Sequence, residues 1–199
     1  MTRRRDTPLG TCLLLSAGIL ALQAIVLRVM GRPLICACGH VDFWYGNPAG
    51  AETSQQLTDW YTFTHITHGF AFYGLLWLIA PRMSVARRFV LMIALEAGWE
   101  MVENTPFVIA LYRQSALAQG YGGDSVVNSV CDTLAAAIGF VLARILPVWA
   151  GVALVGANEA FLAYMIRDNL ALNIVQLVHP SATLSHWQTG GAGGAPPRP

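Results

Sequence analysis

Lysine is absent from this sequence of 199 residues, and charge of either sign is scarce. Only 12% of the residues are charged and 55% are hydrophobic, whereas about a quarter of the residues are charged in an ordinary soluble domain. So few charges cannot cover the surface of a water-soluble protein. The formal net charge of +1 also excludes the strong basic field that attracts nucleic acid, so no nucleic-acid partner is expected.

Cysteine is scarce as well, with four residues in the chain. Cys36 and Cys38 form a C-x-C pair in a polar stretch, and no second cysteine pair accompanies them to complete a zinc site. The pair is either a disulfide, if that stretch lies outside the cytoplasm, or two free thiols. Cys12 and Cys131 lie in apolar stretches typical of helices.

The most prominent feature of the sequence is a set of long apolar blocks. Five blocks are each near or above the roughly 20 residues of helix that cross a bilayer: residues 9–30, 62–80, 88–112, 125–146 and 148–166. The sequence therefore predicts an all-α fold, an integral membrane bundle of about five transmembrane helices that forms one domain over residues 1–189. A Gly/Pro-rich tail over residues 190–199 is too poor in apolar residues to fold.

Two local signals refine these helices. The first block is longer than the roughly 7 to 15 apolar residues of a signal peptide, and Arg28 and Arg32 follow where a cleavage site would belong. We therefore expect a retained first helix. In the third block, Pro106 is expected to kink or end the helix near Thr105, because proline removes a backbone donor and crowds the preceding turn.

The arginine distribution predicts a cytoplasmic amino terminus and an external carboxyl terminus. The arginines at the predicted cytoplasmic ends are Arg3, Arg4, Arg5, Arg82, Arg87, Arg88 and Arg144, and those at the outer ends are Arg28, Arg32, Arg113 and Arg167. In this orientation the loop over residues 31–61 lies on the outer membrane face. Its Trp and Tyr residues suit the interface with water.

Ionisable side chains interrupt the apolar blocks, although each costs roughly 2.5 to 3.5 kcal/mol at the centre of a membrane helix. His65 and His68 are three residues apart on the second helix and share one face. Acids and amides recur at helical spacing on the third and fourth helices: Glu96, Glu100, Glu103, Asp124, Asn128 and Asp132. Because alternate helices run in opposite directions, we expect these groups to share one layer toward the outer face. Arg167 and Asn169 end the fifth helix at the same level.

Structural explanations stand beside the functional one for part of this layer. Glu103 and Asp124 lie near helix ends, where solvation in the headgroup region is sufficient. Two histidines do not complete a coordination shell, and a hydrogen-bonded pair at the interface is the commoner arrangement. Arg167 either extends to the interface from a helix end or binds an anionic group. The acids deeper in the helices must be protonated, paired or bound to a cation.

The leading hypothesis is a membrane-embedded enzyme that acts on a lipid or lipid-linked headgroup near the outer face, with a divalent metal such as zinc, manganese or iron. The candidate catalytic residues are His65, His68, Glu100, Glu103, Asp124 and Asp132. The candidate metal ligands are His65, His68, Glu100 and Asp132, and the candidate substrate-binding residues are Arg167, Asn128 and Asn169. The alternatives are a non-catalytic membrane scaffold and a small proton-coupled carrier. Membrane lipid is the expected partner in each case.

Six ordered motifs carry a resemblance to a known group. They are C-A-C-G-H at 36–40, L-T-D-W-Y-T at 57–62, H-I-T-H-G-F at 65–70, E-A-G-W-E-M-V-E-N at 96–104, Y-G-G-D-S-V-V-N-S-V-C-D at 121–132 and R-D-N-L-A-L-N at 167–173. In these motifs the sequence resembles a bacterial family of multipass inner-membrane proteins known only as an uncharacterised family, or domain of unknown function. The resemblance implies an integral plasma-membrane location and no activity.

Overall fold

The computed structural model describes residues 8–114, 117–118 and 120–190. Within these ranges the fold is all-helical, apart from an isolated bridge between Tyr45 and Asp59. The helices are α1 Leu9–Val29, α2 Thr62–Ile79, α3 Val85–Glu103, α4 Pro106–Tyr112, α5 Val126–Ile145, α6 Val148–Ile166, α7 Leu170–Val178 and α8 Ala182–Gln188. The all-α prediction is therefore confirmed for the described residues.

Among the helices that the structure describes, three are long and apolar enough to cross a membrane: α1, α5 and α6. On α6, Val148 is 83% exposed and Tyr164 is 85% exposed, as expected for a surface in contact with lipid. These helices point to membrane association. The predicted count of five crossings is not confirmed, because the histidines of α2 and the charged residues of α3 make those two helices less apolar.

The third predicted helix is divided at the proline, as the sequence indicated. α3 ends at Glu103 and α4 begins at Pro106, where a proline costs little because its missing N–H would be unpaired in any case. The Thr105 side chain accepts a hydrogen bond from the Val108 backbone and caps α4. The prediction that the helix would kink or end near Thr105 is confirmed.

The chain continues beyond the fifth predicted helix as two short helices that the count of apolar blocks did not include. Arg167 ends α6 in the left-handed conformation, with a φ of 56°, and so turns the chain away from the helix axis. The Asn169 side chain then accepts a hydrogen bond from Leu172 and begins α7. α7 and α8 therefore lie beside the bundle instead of extending it.

Two glycines bring α2 and α5 into close contact. A Cβ atom added to Gly69 of α2 would lie 2.0 Å from the Ala136 carbonyl oxygen of α5, and one added to Gly139 would lie 2.0 Å from the Ile66 carbonyl oxygen. The two backbones therefore touch, as small residues allow at helix contacts in membranes. This contact sets the relative position of the polar residues that begin α2 and α5.

An apolar cluster fills one end of the contact among α2, α3 and α5, and it comprises Leu76, Met92, Ile93, Ala136 and Phe140. The histidines and acids of the same three helices lie toward the other end. Two parts of the sequence argument fall outside the described residues: Arg3, Arg4 and Arg5 of the orientation tally, and the predicted tail beyond Gly190.

Candidate functional site

Both histidines of α2 bind the same carboxylate oxygen. The Nδ1 atoms of His65 and His68 lie 2.6 Å and 3.0 Å from Oε1 of Glu96 on α3. The three-residue spacing puts both rings on one face of α2, and their centroids are 5.0 Å apart. An ionised carboxylate only accepts hydrogen bonds, so each Nδ1 donates, and a ring in its neutral form would keep its lone pair on Nε2. Glu96 thus sets the orientation and tautomer of both rings.

Two further acids flank His65. Glu100 Oε1 lies 3.3 Å from His65 Nδ1, and Asp132 Oδ2 lies 3.8 Å from His65 Nε2. Each acid is held through its other oxygen, since Ser129 donates to Glu100 Oε2 at 2.6 Å and Thr62 donates to Asp132 Oδ1 at 3.0 Å. The sequence argument placed these acids and His65 in one layer, and the structure places them in contact.

Three carboxylate oxygens in this group are buried without a hydrogen-bond partner: Glu96 Oε2, Glu100 Oε1 and Glu103 Oε2. Buried polar atoms are nearly always paired, because an unpaired one loses its bonds to water and gains nothing in return. Carboxylates from a single helix also repel one another when ionised. Three such oxygens close to two imidazoles therefore form a site that a cation or a ligand would complete.

The donor set fits a metal ion. Two groups of side chains have ligand atoms within 4.8 Å of one another, His65 with His68 and Glu96, and His65 with Glu100 and Glu103. Ligands of one tetrahedral zinc lie about 3.3 Å apart, given metal–ligand bonds of about 2.0 to 2.1 Å. The 2.6 Å separation of His65 from Glu96 is a hydrogen bond and is too short for two such ligands. Glu96 therefore acts as the orienting carboxylate behind the histidines.

A cavity of about 740 Å³ opens beside these groups, a size typical of small-molecule sites. Its polar lining comes from several elements: His65, His68, Glu103, Asp124, Asp132 and Asp168. Its apolar lining includes Phe72, Trp99, Leu170, Ile174 and Leu177. The lining therefore combines acidic groups with apolar side chains that suit a hydrocarbon chain.

Asp124 lines the cavity but is fully engaged by its own neighbours. Its Oδ2 accepts from the Asn104 side chain at 2.5 Å, its Oδ1 accepts from the Tyr121 hydroxyl at 2.8 Å, and its backbone N–H donates to Asn104 Oδ1 at 2.7 Å. Burial raises the pKa of the Asp124 carboxyl, against the hydrogen bonds that lower it. Both carboxylate oxygens of Asp124 are therefore hydrogen-bonded within the protein, and the catalytic role expected from the sequence stays a prediction.

The three residues predicted to bind substrate do not meet at the cavity. Arg167 is exposed and donates to the Trp187 carbonyl at 3.0 Å, because the left-handed turn after α6 directs it toward α8. Asn128 donates to the Gln56 carbonyl at 2.9 Å, and Asn169 caps α7. None of the three lines the cavity. Their predicted role in substrate binding stays a prediction.

Sequence reasoning left out two acids that the structure places at the site. The sequence shows Glu96 as an acid deep in the third helix, but the candidate site residues do not include it. Its position one turn before Glu100 was the signal that could have added it. Asp168 lines the cavity and accepts from the Tyr61 hydroxyl at 3.2 Å and from Asn173 at 3.1 Å. Burial raises the pKa of Asp168 to about 6. No sequence signal distinguished it from an ordinary helix-end acid.

Comparison with known proteins now adds to this geometry. Residues 27–190 match the model of a family described as "Protein of unknown function (DUF2585)". The chain belongs to that family. The DUF2585 match includes the histidines, the acids of α3 and α5 and the cysteine pair, so the resemblance carried by the six motifs is confirmed.

Relatives from three bacteria share the chain over most of its length. A UPF0314 protein of Sphingopyxis alaskensis is 46% identical over 89% of this chain and 95% of its own. One from Paracoccus denitrificans is 44% identical over 94% of this chain and 95% of its own. The UPF0314 protein R03235 of Rhizobium meliloti is 46% identical over 89% of this chain and 90% of its own. No solved structure matches the chain.

Proposed function

We propose that this chain is a multipass inner-membrane enzyme that uses a divalent metal ion to act on a lipid or lipid-linked headgroup. The observation that carries the proposal is the set of three buried, unpartnered carboxylate oxygens beside two oriented histidines at the edge of a cavity. A polar layer that only locked helices together would be expected to satisfy its own hydrogen bonds. This layer leaves its strongest acceptors open.

The membrane part of the proposal is a bundle of five crossings formed by α1, α2, α3, α5 and α6. α2 and α3 are less apolar than the other three, but their ionisable residues face the bundle interior, where His65, Glu96 and Glu100 are buried. Such placement is the usual arrangement of ionisable groups within membrane segments. The arginine distribution supports an orientation with the amino terminus in the cytoplasm and the site near the outer face.

The proposed metal ligands are His65 and His68 through Nε2, together with Asp132. The 3.8 Å gap between His65 Nε2 and Asp132 Oδ2 is within about half an ångström of the separation of two ligands on one ion. Glu100 Oε1 lies 3.3 Å from His65 Nδ1, on the other side of the ring from Nε2, so Glu100 would join the same ion only after its side chain rotates. Imidazole and carboxylate ligands together suit zinc, manganese or iron.

The chemistry divides between the ion and the side chains. A bound metal ion would supply a Lewis acid that polarises an ester oxygen of a headgroup and activates water. Among the described residues that line the cavity there is no arginine, so an anionic headgroup would be neutralised chiefly by that ion. Glu103, whose Oε2 is unpartnered and which lines the cavity, is placed to take up or release a proton.

The apolar wall supports a lipid substrate. Leu170, Ile174 and Leu177 of α7 are spaced by four and three residues, so they share one helix face, and all three line the cavity. Trp99 and Phe72 extend the same apolar lining from α3 and α2. A headgroup beside the acids would therefore leave its hydrocarbon chain against these residues.

A scaffold remains the second candidate because one polar network in the bundle is satisfied. Gln23 of α1 donates to the Ser129 carbonyl at 3.0 Å and to its hydroxyl at 2.9 Å, and Thr133 donates to Gln23 Oε1 at 3.0 Å. Such bonds join α1 to α5 and are typical of helix association in membranes. These bonds lie next to Glu100. An experiment that distinguishes the enzyme from the scaffold must therefore remove the charge of an acid without changing its packing.

Neutral amides at two acids provide that experiment. Purified wild type, Glu100→Gln and Asp132→Asn are compared for bound metal by elemental mass spectrometry and for thermal unfolding in detergent, with Glu159→Gln on α6 as the matched control. The enzyme proposal expects both site variants to lose the ion and to accumulate like the wild type. A scaffold would instead lose thermal stability. Retention of the ion by both stable variants would contradict the proposal.

Activity is tested on the metal-loaded protein in vesicles of bacterial lipid extract. Mass spectrometry of the lipids before and after incubation should show loss of a headgroup from one lipid class, and that loss should require the ion. The Asp132→Asn protein, which should not hold the ion, is the matched negative control. An unchanged lipid profile with the loaded wild type would remove the enzymatic part of the proposal while leaving the metal site intact.

A further inference from the structure

A second group of metal-ligating side chains lies on the loop between α1 and α2, outside the cavity. The sulfur atoms of Cys36 and Cys38 and the carboxylate of Glu52 lie within 4.8 Å of one another. His40 Nε2 lies 3.4 Å from Glu52 Oε2, so Glu52 connects the cysteine pair to the histidine. The residues come from the C-A-C-G-H motif and from a position 12 residues beyond it.

A buried glutamine holds this group in place. Gln56 is fully buried, and its Nε2 donates to Glu52 Oε2 at 2.7 Å and to Cys38 Sγ at 3.4 Å. Its Oε1 accepts from the Asp42 backbone at 2.6 Å. An amide that bonds to both a carboxylate and a sulfur fixes their separation, as the outer-shell partners of metal ligands do.

The cysteines are joined by a disulfide in this structure. Zinc binds cysteine as the thiolate, which a disulfide does not offer. We propose that reduction of the Cys36–Cys38 disulfide creates a Zn²⁺ site formed by the two thiolates, His40 and Glu52. Two thiolates, one imidazole and one carboxylate supply the four ligands of tetrahedral zinc.

The redox step balances with a dithiol reductant. The reductant gives two electrons and two protons to the sulfur–sulfur bond and is itself converted to a disulfide. Each cysteine thiol then releases one proton as its sulfur binds the ion. Oxidation by a disulfide of the same class reverses both steps and releases Zn²⁺.

The loop connects this site to the cavity. Ser54 and Gln55, two and three residues beyond Glu52, line the cavity. The Ser54 carbonyl accepts from the Ser125 backbone at 2.9 Å, and the Gln55 side chain donates to the Gly123 carbonyl at 2.6 Å. Disulfide or zinc would therefore fix the same stretch of cavity wall. The inference stands without the proposed function, because it rests on the loop residues alone.

Cobalt absorption tests the inference on the full chain in detergent. Co²⁺ bound by thiolate gives a sulfur-to-metal charge-transfer band, and the proposed ligands at the cavity include no sulfur, so the band reports on the loop. After reduction with a phosphine, we expect the band in the wild type and its displacement by Zn²⁺. The oxidised protein should lack the band.

Variants assign the ligands. Cys38→Ser should abolish the band, and His40→Gln and Glu52→Gln should each weaken Co²⁺ affinity by on the order of 10 to 100-fold, at least the effect of losing an outer-shell partner. Cys131→Ser, which removes a half-buried thiol next to Asp132, should leave the band unchanged. If Cys38→Ser fails to fold, the His40 and Glu52 variants carry the same test.

Three results would overturn the inference. The first is no band in wild-type protein whose free thiols have been counted after reduction. The second is an equal band in the oxidised protein, which would show that the disulfide is irrelevant. The third is a band that survives in Cys38→Ser or that keeps full affinity in both the His40 and Glu52 variants.

Discussion

The two ends of the contact among α2, α3 and α5 are buried to the same degree but are satisfied differently. At one end Leu76, Met92 and Phe140 pack with each other and with neighbouring aromatic rings. At the other end Glu96 and Glu100 are as deeply buried, yet each leaves an oxygen without a hydrogen-bond partner. Burial of apolar groups favours folding, and burial of unpaired acids opposes it.

The comparison separates the residues that hold the bundle together from the residues that the bundle holds in place. Both ends are built on the same three helices, so the apolar end and the glycine contact supply the packing that keeps the acids of the polar end close together. A protein that needed only stability would gain from apolar residues at both ends.

Truncation at the apolar end should give the largest loss of stability. Phe140 is 1% exposed, and Phe140→Ala should destabilise the fold by about 3 to 5 kcal/mol, since it removes buried area and leaves a cavity. Thermal unfolding in detergent measures the loss, with Ile138→Ala, 56% exposed on the same helix, as the control. Equal effects of the two changes would show that the apolar cluster is not a packed core.

The next largest effect should be a pH dependence of stability caused by Asp168, at the edge of the polar end. Burial raises the pKa of Asp168 from 3.8 to about 6, so the folded state binds this proton more tightly than the unfolded state does. Stability should therefore be greatest below about pH 4 and fall as the pH rises to about 6, by up to about 3 kcal/mol. Thermal unfolding across this range measures the slope.

The slope of the Asp168→Asn protein should be shallower than the wild-type slope by the Asp168 contribution, and Asp42→Asn on the exposed loop should keep the full slope. A slope in Asp168→Asn equal to that of the wild type would assign the pH dependence to other groups. Only the change in slope is compared, because the amide also replaces an acceptor of hydrogen bonds from Tyr61 and Asn173.

The next largest loss of stability should come from a substitution at the glycine contact between α2 and α5, which supports both ends. Gly69→Ala places a methyl group 2.0 Å from the Ala136 carbonyl oxygen, so α2 and α5 must separate, at a cost of about 1 to 3 kcal/mol. Gly74→Ala lies on the same helix with nothing within 4 Å of the new atom. If the two changes give the same unfolding temperature, the close helix contact is not present in the protein.

The smallest change in stability should come from a hydrogen bond at the polar end. Ser129 donates to Glu100 Oε2 at 2.6 Å, and Ser129→Ala should destabilise the fold by about 1 kcal/mol. Because Glu100 then loses its fixed orientation, metal affinity should fall by on the order of 10 to 100-fold. Titration with Zn²⁺ measures this, and Ser16→Ala on α1 is the control. Unchanged affinity would separate Glu100 from the metal site.

Much of this comparison can be predicted from the sequence, because the depth of a residue in a helical bundle follows from the length and direction of its helix. The block that predicted α6 has the observed bounds, and Pro106 divides α3 from α4 as expected. The layer argument brought His65 to the level of Glu100 and Asp132, and they are in contact. Depth, however, does not fix rotation about the helix axis.

The remaining features depend on rotation and on local backbone conformation. The choice of Glu96 as the shared partner of both histidines requires the rotation of α3, which spacing alone does not give. The left-handed conformation at Arg167 moved a predicted anion binder toward α8, although arginine rarely adopts it. The state of the Cys36 and Cys38 pair was left open by the sequence, and the structure joins the two in a disulfide.

X-ray absorption at the metal edge tests the central claim most directly. Cys36→Ser/Cys38→Ser protein, which has no thiolates on the loop, is loaded with Zn²⁺ and compared with the same protein carrying His65→Gln. The account predicts one ion per chain in a nitrogen and oxygen shell at about 2.0 to 2.1 Å with imidazole scattering, lost in the His65 variant. An ion without imidazole ligands, or the same spectrum in both proteins, would contradict it.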